Sequence, residues 1–377
     1  MREIDDIASF LSWLDDGDAS RSVAIQQLDL VQHAERLIEQ EFAGTLFLGC
    51  TLRPDCAGHI VQSGGFVTPQ IQHSFDVHRA RLYTVDELFE GFAIEDPRGW
   101  KQTRDYAIYR EYQDAGGSRA SSIATMLCRR LHDHSISDAL HEVIAGRKVV
   151  AVMGGHGMER GHEFYARIAR LSRELTRTGY LLVSGGGPGA MEATHVGAWF
   201  AQRPIDELAR ALELLAKRPA NAPAGQEYAD ADWLARAFRV REAFPMAPEN
   251  EAESLSIGIP TWTYGHEPPA PFALAIAKYF ANSVREAGLL AIASHGVIFA
   301  PGSAGTTQEI FQDACQNHYE TFGKAAPMIL FGKKFWTEER PVWPLLEHVA
   351  RGRAYGDLLG LTDDPDEVVA RIAAYDG

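Results

Sequence analysis

Cysteine is scarce in this sequence and basic residues are in deficit. The four cysteines among 377 residues, Cys50, Cys56, Cys128 and Cys315, are irregularly spaced. They form no disulfide framework and no paired zinc-ligand pattern, and they fit a reducing compartment. Lys and Arg total 36 against 51 Asp and Glu, a formal charge of −15. A chain this acidic repels nucleic-acid backbones, which argues against DNA or RNA as a bulk partner but leaves room for one local positive site. No run approaches the roughly 18 uncharged apolar residues of a membrane span, so no membrane role is expected. The start, Met1-Arg2-Glu3-Ile4-Asp5-Asp6, is acidic where a secretory signal is basic. The cytoplasm is therefore the expected compartment. Internal repeats and low-complexity tracts are also missing.

What is present is enough apolar material, 46% of residues, for a packed core, and a length that favours two domains. The pattern divides near residue 145. Residues 1–145 read as a separate mixed α/β domain of unassigned role, with helical spacing at Ile4, Ile7, Leu11 and Leu14 and a short buried strand over Gly44–Cys50. Further helices are predicted over 83–90, 103–113 and 121–130, with a turn at Asp96-Pro97-Arg98-Gly99. His132, His134 and His141 lie near Asp133 and Asp138, but the spacing fits solvated helix positions better than a metal site.

Residues 146–377 alternate strand and helix. The run Val149–Met153 is apolar and rich in valine; Phe164, Ile168, Leu171 and Leu175 follow at helical spacing, then Tyr180–Val183. Short glycine turns join them, the signature of a doubly wound, Rossmann-like parallel sheet. Residues 202–252, with a Pro/Ala-rich segment at 218–225, read as a surface excursion. The alternation resumes with a strand at 256–260, a helix over 272–287, strands at 296–300 and 327–331, and helices near 342–351 and 366–375.

Three glycine-rich turns fall at the carboxyl ends of predicted strands, after Met153, Val183 and Ala300. Ligands of open α/β sheets bind there, where a helix N-terminus offers free N–H groups and glycine permits close approach of phosphate. Tight turns needing positive φ explain the same glycines without a ligand. In the third turn, Pro301-Gly302-Ser303-Ala304-Gly305-Thr306-Thr307-Gln308-Glu309, Thr306 starts a helix and can donate its hydroxyl. Glu309 can face the cleft, or can merely complement the helix dipole. No Gly-x-Ser-x-Gly elbow appears, and no Gly-x-Gly-x-x-Gly follows the first strand, which disfavours a serine hydrolase and an NAD(P) enzyme.

The third turn resembles the Pro-Gly-Gly-x-Gly-Thr-x-x-Glu motif of the LOG (Lonely Guy) proteins, with Ser303 at the second glycine. Val150–Gly155 and Leu182–Ala193 are similar to the family's first strand and its glycine-rich segment. Arg285 stands near the family's helix arginine; an ordinary solvated arginine is the alternative. The resemblance implies a phosphoribohydrolase that hydrolyses the N-glycosidic bond of a nucleoside 5′-monophosphate. In that reading Glu309 and Arg285 are catalytic, and Gly302, Ser303, Gly305 and Thr306 hold the phosphate. Gly154, Gly155, Ser184, Gly185, Gly186, Gly187, Gly189 and Met191 line the base and ribose. It implies a homodimer or larger homo-oligomer, and the mechanism needs neither metal nor organic cofactor. The alternative is a non-catalytic nucleotide-binding or sensing protein.

Overall fold

The computed structural model describes residues 2–16, 23–71, 73–96, 99–217 and 222–377. The chain divides into two compact units, residues 1–82 with 119–142, and residues 83–118 with 143–377. The segment 83–118, which the sequence pattern assigned to the N-terminal half, thus packs with the second unit. Of the turn expected at 96–99, Pro97 and Arg98 lie outside the described residues, as do residues 218–221 of the Pro/Ala-rich segment.

The first unit holds a four-stranded parallel sheet of β1 (Arg2–Ile4), β2 (Val23–Gln26), β3 (Leu46–Leu48) and β4 (Phe66–Thr68), in that order. Its core gathers Ile4, Phe10, Trp13, Ile25, Phe42 and Phe47. The helix Ile123–Ile144 is far longer than the sequence pattern suggested. His132 on it is not solvated: it is fully buried, edge-on to Phe75 at 5.4 Å, with Nδ1 3.3 Å from Asp133. Among the described residues no group of three His, Cys, Asp or Glu is placed to hold a metal ion.

The second unit is the Rossmann-like doubly wound α/β fold. Seven strands, β5 (Lys148–Met153), β6 (Tyr180–Ser184), β7 (Ser256–Gly258), β8 (Ala275–Ile276), β9 (Val297–Phe299), β10 (Met328–Phe331) and β11 (Leu359–Thr362), lie in the order β11-β10-β9-β5-β6-β7-β8. All neighbours are parallel. Strand order reverses between β5 and β9, so the loops after these two strands diverge and leave a crevice. Burial on both faces explains why these strands read as continuous apolar runs rather than alternating ones. Val150, Val152, Leu182, Ile298 and Ile329 share one core with Ile168, Leu171 and Leu175 of the helix Glu163–Arg177. That helix is capped by His162, whose Nδ1 accepts from the Phe164 N–H at 3.2 Å, and it is followed by Gly179 at φ +91°.

Two expectations change here. The described residues of 202–252 form no surface excursion: their helices Ile205–Leu215 and Ala231–Ala243 bury Leu208, Leu212, Ala237 and Val240 in the main core. The apolar run 272–287 is not one helix either. It supplies β8, then a helix only from Asn282 to Ala291. Ile276 of β8 exchanges two backbone hydrogen bonds with Tyr83, at 2.8 and 2.9 Å, which covers the sheet edge. No helix among the described residues is long and apolar enough to cross a membrane.

Candidate small-molecule site

The loops after β5, β6 and β9 converge at the switch point. The Gly155 N–H donates to the Pro301 carbonyl at 3.1 Å, and the Ala190 N–H donates to the Gly155 carbonyl at 3.2 Å. Several motif glycines are required by this crowding. A Cβ on Gly154 would fall 2.6 Å from that of Ala190, and one on Gly186, at φ +68°, 2.7 Å from the Ile259 nitrogen. Gly189, at φ +71°, lies too close to the Gly155 carbonyl to carry a side chain. Gly302 leaves the space taken by the Thr306 hydroxyl.

Between the loops lies a cavity of about 310 Å³, at the small end of ligand sites. Of the residues singled out in the sequence, Gly154, Gly155, Gly185, Gly187, Met191, Arg285, Ser303, Gly305, Thr306 and Glu309 line it. Gly302 faces an adjoining cavity instead, and Gly186 and Gly189 are backbone positions of the loop wall. Ser184 is withdrawn from the site altogether. It is fully buried and its hydroxyl lies 2.8 Å from Nε2 of His195, whose Nδ1 is 2.9 Å from the Ser256 hydroxyl. This chain ties β6 to β7, and burial pushes the His195 pKa down to about 3, keeping the ring neutral.

The helix Ala304–Tyr319 points its first turn at the cavity. Ser303 makes no side-chain cap, and the first turn holds no acidic residue. The N–H groups of Ala304, Gly305 and Thr306 therefore have no acceptor among the described residues, and the helix dipole adds partial positive charge. Arg285 is buried, not solvated. Its Nε donates to the Ile259 carbonyl at 2.6 Å and its Nη2 to the Gly185 carbonyl at 3.1 Å. No carboxylate forms an ion pair with it among the described residues. Gly185 has no side chain because Nη2 occupies that space.

Two carboxyl groups complete the cavity. Glu309 lies in the second turn of its helix, which begins at Ala304, two residues before the expected start at Thr306, and it has no hydrogen-bond donor from the described protein. Burial raises its pKa to about 7, against the lowering pull of Arg285 and with a smaller upward push from Glu286. Glu267 was missed. Burial raises its pKa too, opposed by His156, His266, Arg285 and Lys278. His156, Pro260, Thr261, Tyr264, His266, Pro268 and Glu286 were also missed as site residues. His156 stands in the glycine turn after β5, and Glu286 follows Arg285 on the helix Asn282–Ala291; the others lie at 260–268, and their one available signal was that position beyond the carboxyl end of β7.

Gly305 is the motif glycine that the packing does not need. A Cβ there would meet nothing within 4 Å. Gly305→Ala is expected to raise unfolding stability by about 0.5–1 kcal/mol through lost backbone freedom in the unfolded chain, and to weaken anion binding by placing a methyl at the helix mouth. Urea unfolding and sulfate titration of the same sample check both halves.

No protein-family model matches the chain, and no curated protein matches it. Solved structures do. One, described as the molybdenum cofactor binding protein from the phototrophic bacterium Rippkaea orientalis, is 15% identical over 61% of this chain and 98% of its own, with a TM-score of 0.37. Another, the molybdenum cofactor carrier protein MCP from Chlamydomonas reinhardtii, is 15% identical over 61% of this chain and 99% of its own, with a TM-score of 0.32. These results withdraw the LOG assignment, and with it the phosphoribohydrolase activity, the nucleotide-sensor alternative and the nucleoside monophosphate as ligand. The physical reason is visible in the loops: Gly154, Gly186, Gly189 and Gly302 are fixed by loop-on-loop packing at the switch point, so these four glycines report that crossing and do not identify a substrate.

Proposed function

We propose that the second unit binds a small organic phosphate, with the phosphate seated on the open first turn of the helix Ala304–Tyr319 and facing Arg285. The observation that carries this reading is the set of three unclaimed N–H groups opening, beside a buried arginine with no carboxylate partner, into one cavity. Backbone N–H groups at a helix start and a guanidinium are the usual partners of a phosphomonoester. The cavity volume suits a ligand of one or two rings and is small for a dinucleotide. The four free cysteines support a reducing compartment such as the cytoplasm in this reading.

Glu309 favours a second, compatible reading, an enzyme in which this carboxyl transfers a proton to or from the bound ligand. A carboxyl with pKa about 7 is half protonated at neutral pH, where acid and base forms are both available.

Sulfate tests the anion site, because its charge is constant between pH 6 and 8. Glu309 is protonated below its pKa and negative above it, so sulfate affinity is expected to fall as pH rises through 7, by roughly tenfold between pH 6 and pH 8. Glu309→Gln is expected to flatten that profile. Absence of sulfate or phosphomonoester binding at pH 6 by calorimetry would end the proposal. A panel of phosphorylated small molecules, including the molybdenum cofactor named for the two solved structures, then reads ligand identity, and recovery of altered ligand from the incubation reads catalysis.

A further inference from the structure

Glu267 gives the same cavity a second kind of chemistry. Glu267 is half-buried, and no hydrogen-bond donor from the described protein satisfies its carboxyl. Its nearest polar neighbours are His156 Nδ1 at 3.6 Å and His266 Nε2 at 3.7 Å, both facing the same oxygen, Oε1. The other oxygen lies over Gly187, where a Cβ would come within 3.3 Å of it. Gly187 therefore gives room to a carboxyl, as Gly185 gives room to Arg285. The cavity wall also carries apolar and flat surfaces: Pro260, Pro268, Met191 and the exposed ring of Tyr264. A buried carboxyl without a donor is costly unless the ligand supplies one.

We infer that the phosphate-bearing ligand carries a planar heterocycle with an amidine-type edge, a ring nitrogen beside an amino group, which Glu267 reads by a paired two-point hydrogen bond while Tyr264 and the prolines flank the ring. The pairing is chemically closed in either protonation state. A neutral carboxyl donates O–H to the ring nitrogen and accepts N–H from the amino group. An ionised one accepts both N–H groups of the protonated edge. Burial shifts the Glu267 pKa upward, which favours the neutral carboxyl relative to one in water. Glu267 is thus the specificity residue, and Arg285 with the helix mouth the anchor. This inference rests on the phosphate reading of the same cavity.

The test uses the full-length chain and three probes: a phosphomethyl-aminopyrimidine, its 4-oxo analogue, and inorganic phosphate. The oxo analogue keeps ring and phosphate but loses the amino group. Wild type is expected to bind the amino compound at least tenfold more tightly than the oxo analogue. Glu267→Met is expected to bind both equally while holding inorganic phosphate at least as tightly as wild type does. Glu267→Gln presents an equivalent acceptor and donor and is expected to restore the preference. Equal binding of both rings by wild type, persistence of the preference in Glu267→Met, or its loss in Glu267→Gln overturns the inference, provided inorganic phosphate still binds. Loss of phosphate binding in wild type overturns the parent reading instead. Thermal melts of the variants separate misfolding from lost recognition.

Discussion

Arg160→Met is expected to lower unfolding stability by about 3–5 kcal/mol, the usual cost of removing one partner from a buried ion pair. Arg160 and Glu192 are 3% and 0% exposed. The guanidinium meets both carboxylate oxygens, Nε to Oε2 at 2.8 Å and Nη2 to Oε1. Tyr165 donates its hydroxyl to Oε2 at 2.7 Å, Nη1 donates to the Trp233 carbonyl at 2.7 Å, and the guanidinium stacks 4.0 Å above the Trp233 ring. Methionine fills much of the volume but leaves the Glu192 carboxylate buried with a single donor. The double variant Arg160→Met, Glu192→Met removes both charges and is expected to recover most of the loss. Urea unfolding of the two single variants and the double one closes a mutant cycle, and a coupling energy below about 1 kcal/mol would show that the pair acts independently. The network also bears on the site, because the Arg160 N–H donates to Glu227 at 3.3 Å. It fastens the end of the loop that begins at Gly154 to the region 227–233, so ligand affinity is expected to fall along with stability.

That anchorage shows what the sequence made legible and what it hid. The strands β5, β6, β9 and β10 were readable because each is an apolar run bounded by glycine, and a fully buried parallel strand has no other pattern to show. The run Phe272–Ala287 has the same apolar character, and there it misled. What decides its conformation is a partner far away in sequence: Tyr83 pairs with Ile276, and Lys278 is buried against Asp105 at 2.6 Å, which also accepts from Trp262 at 3.1 Å. A local period cannot report a contact across 173 residues. Within the site, the helix mouth and the glycine turns were legible because backbone geometry demands glycine. Their meaning was not, since close packing of one loop on another selects the same residue as a ligand does. Ser184 illustrates the ambiguity: its place in the turn suggested a ligand contact, and its hydroxyl is taken by His195. Glu267 illustrates the opposite failure. It lies in a run of loop residues with no motif, and only the fold brings it over Gly187.

The strongest functional effect is expected at Arg285. Arg285→Ala should weaken sulfate and phosphomonoester binding by roughly 30- to 100-fold, the equivalent of the 2–3 kcal/mol carried by a charged hydrogen bond. Its guanidinium is held by the carbonyls of Ile259 and Gly185, which fix its plane but neutralise none of its charge. That charge also reaches the carboxyls. Arg285 lowers the Glu309 and Glu267 pKa values against their burial. Its removal should therefore push the Glu309 pKa above about 7 and shift the midpoint of the pH profile for sulfate binding upward. A purely structural arginine would not do this: losing two carbonyl contacts lowers stability without moving a titration. Arg285→Lys keeps the charge but not the fork that spans two carbonyls, so it should retain the pH midpoint while recovering only part of the affinity. Full sulfate affinity in Arg285→Ala, with a normal pH midpoint and a lowered melting temperature, would reduce Arg285 to a tether between two loops. The phosphate site would then rest on the helix mouth alone.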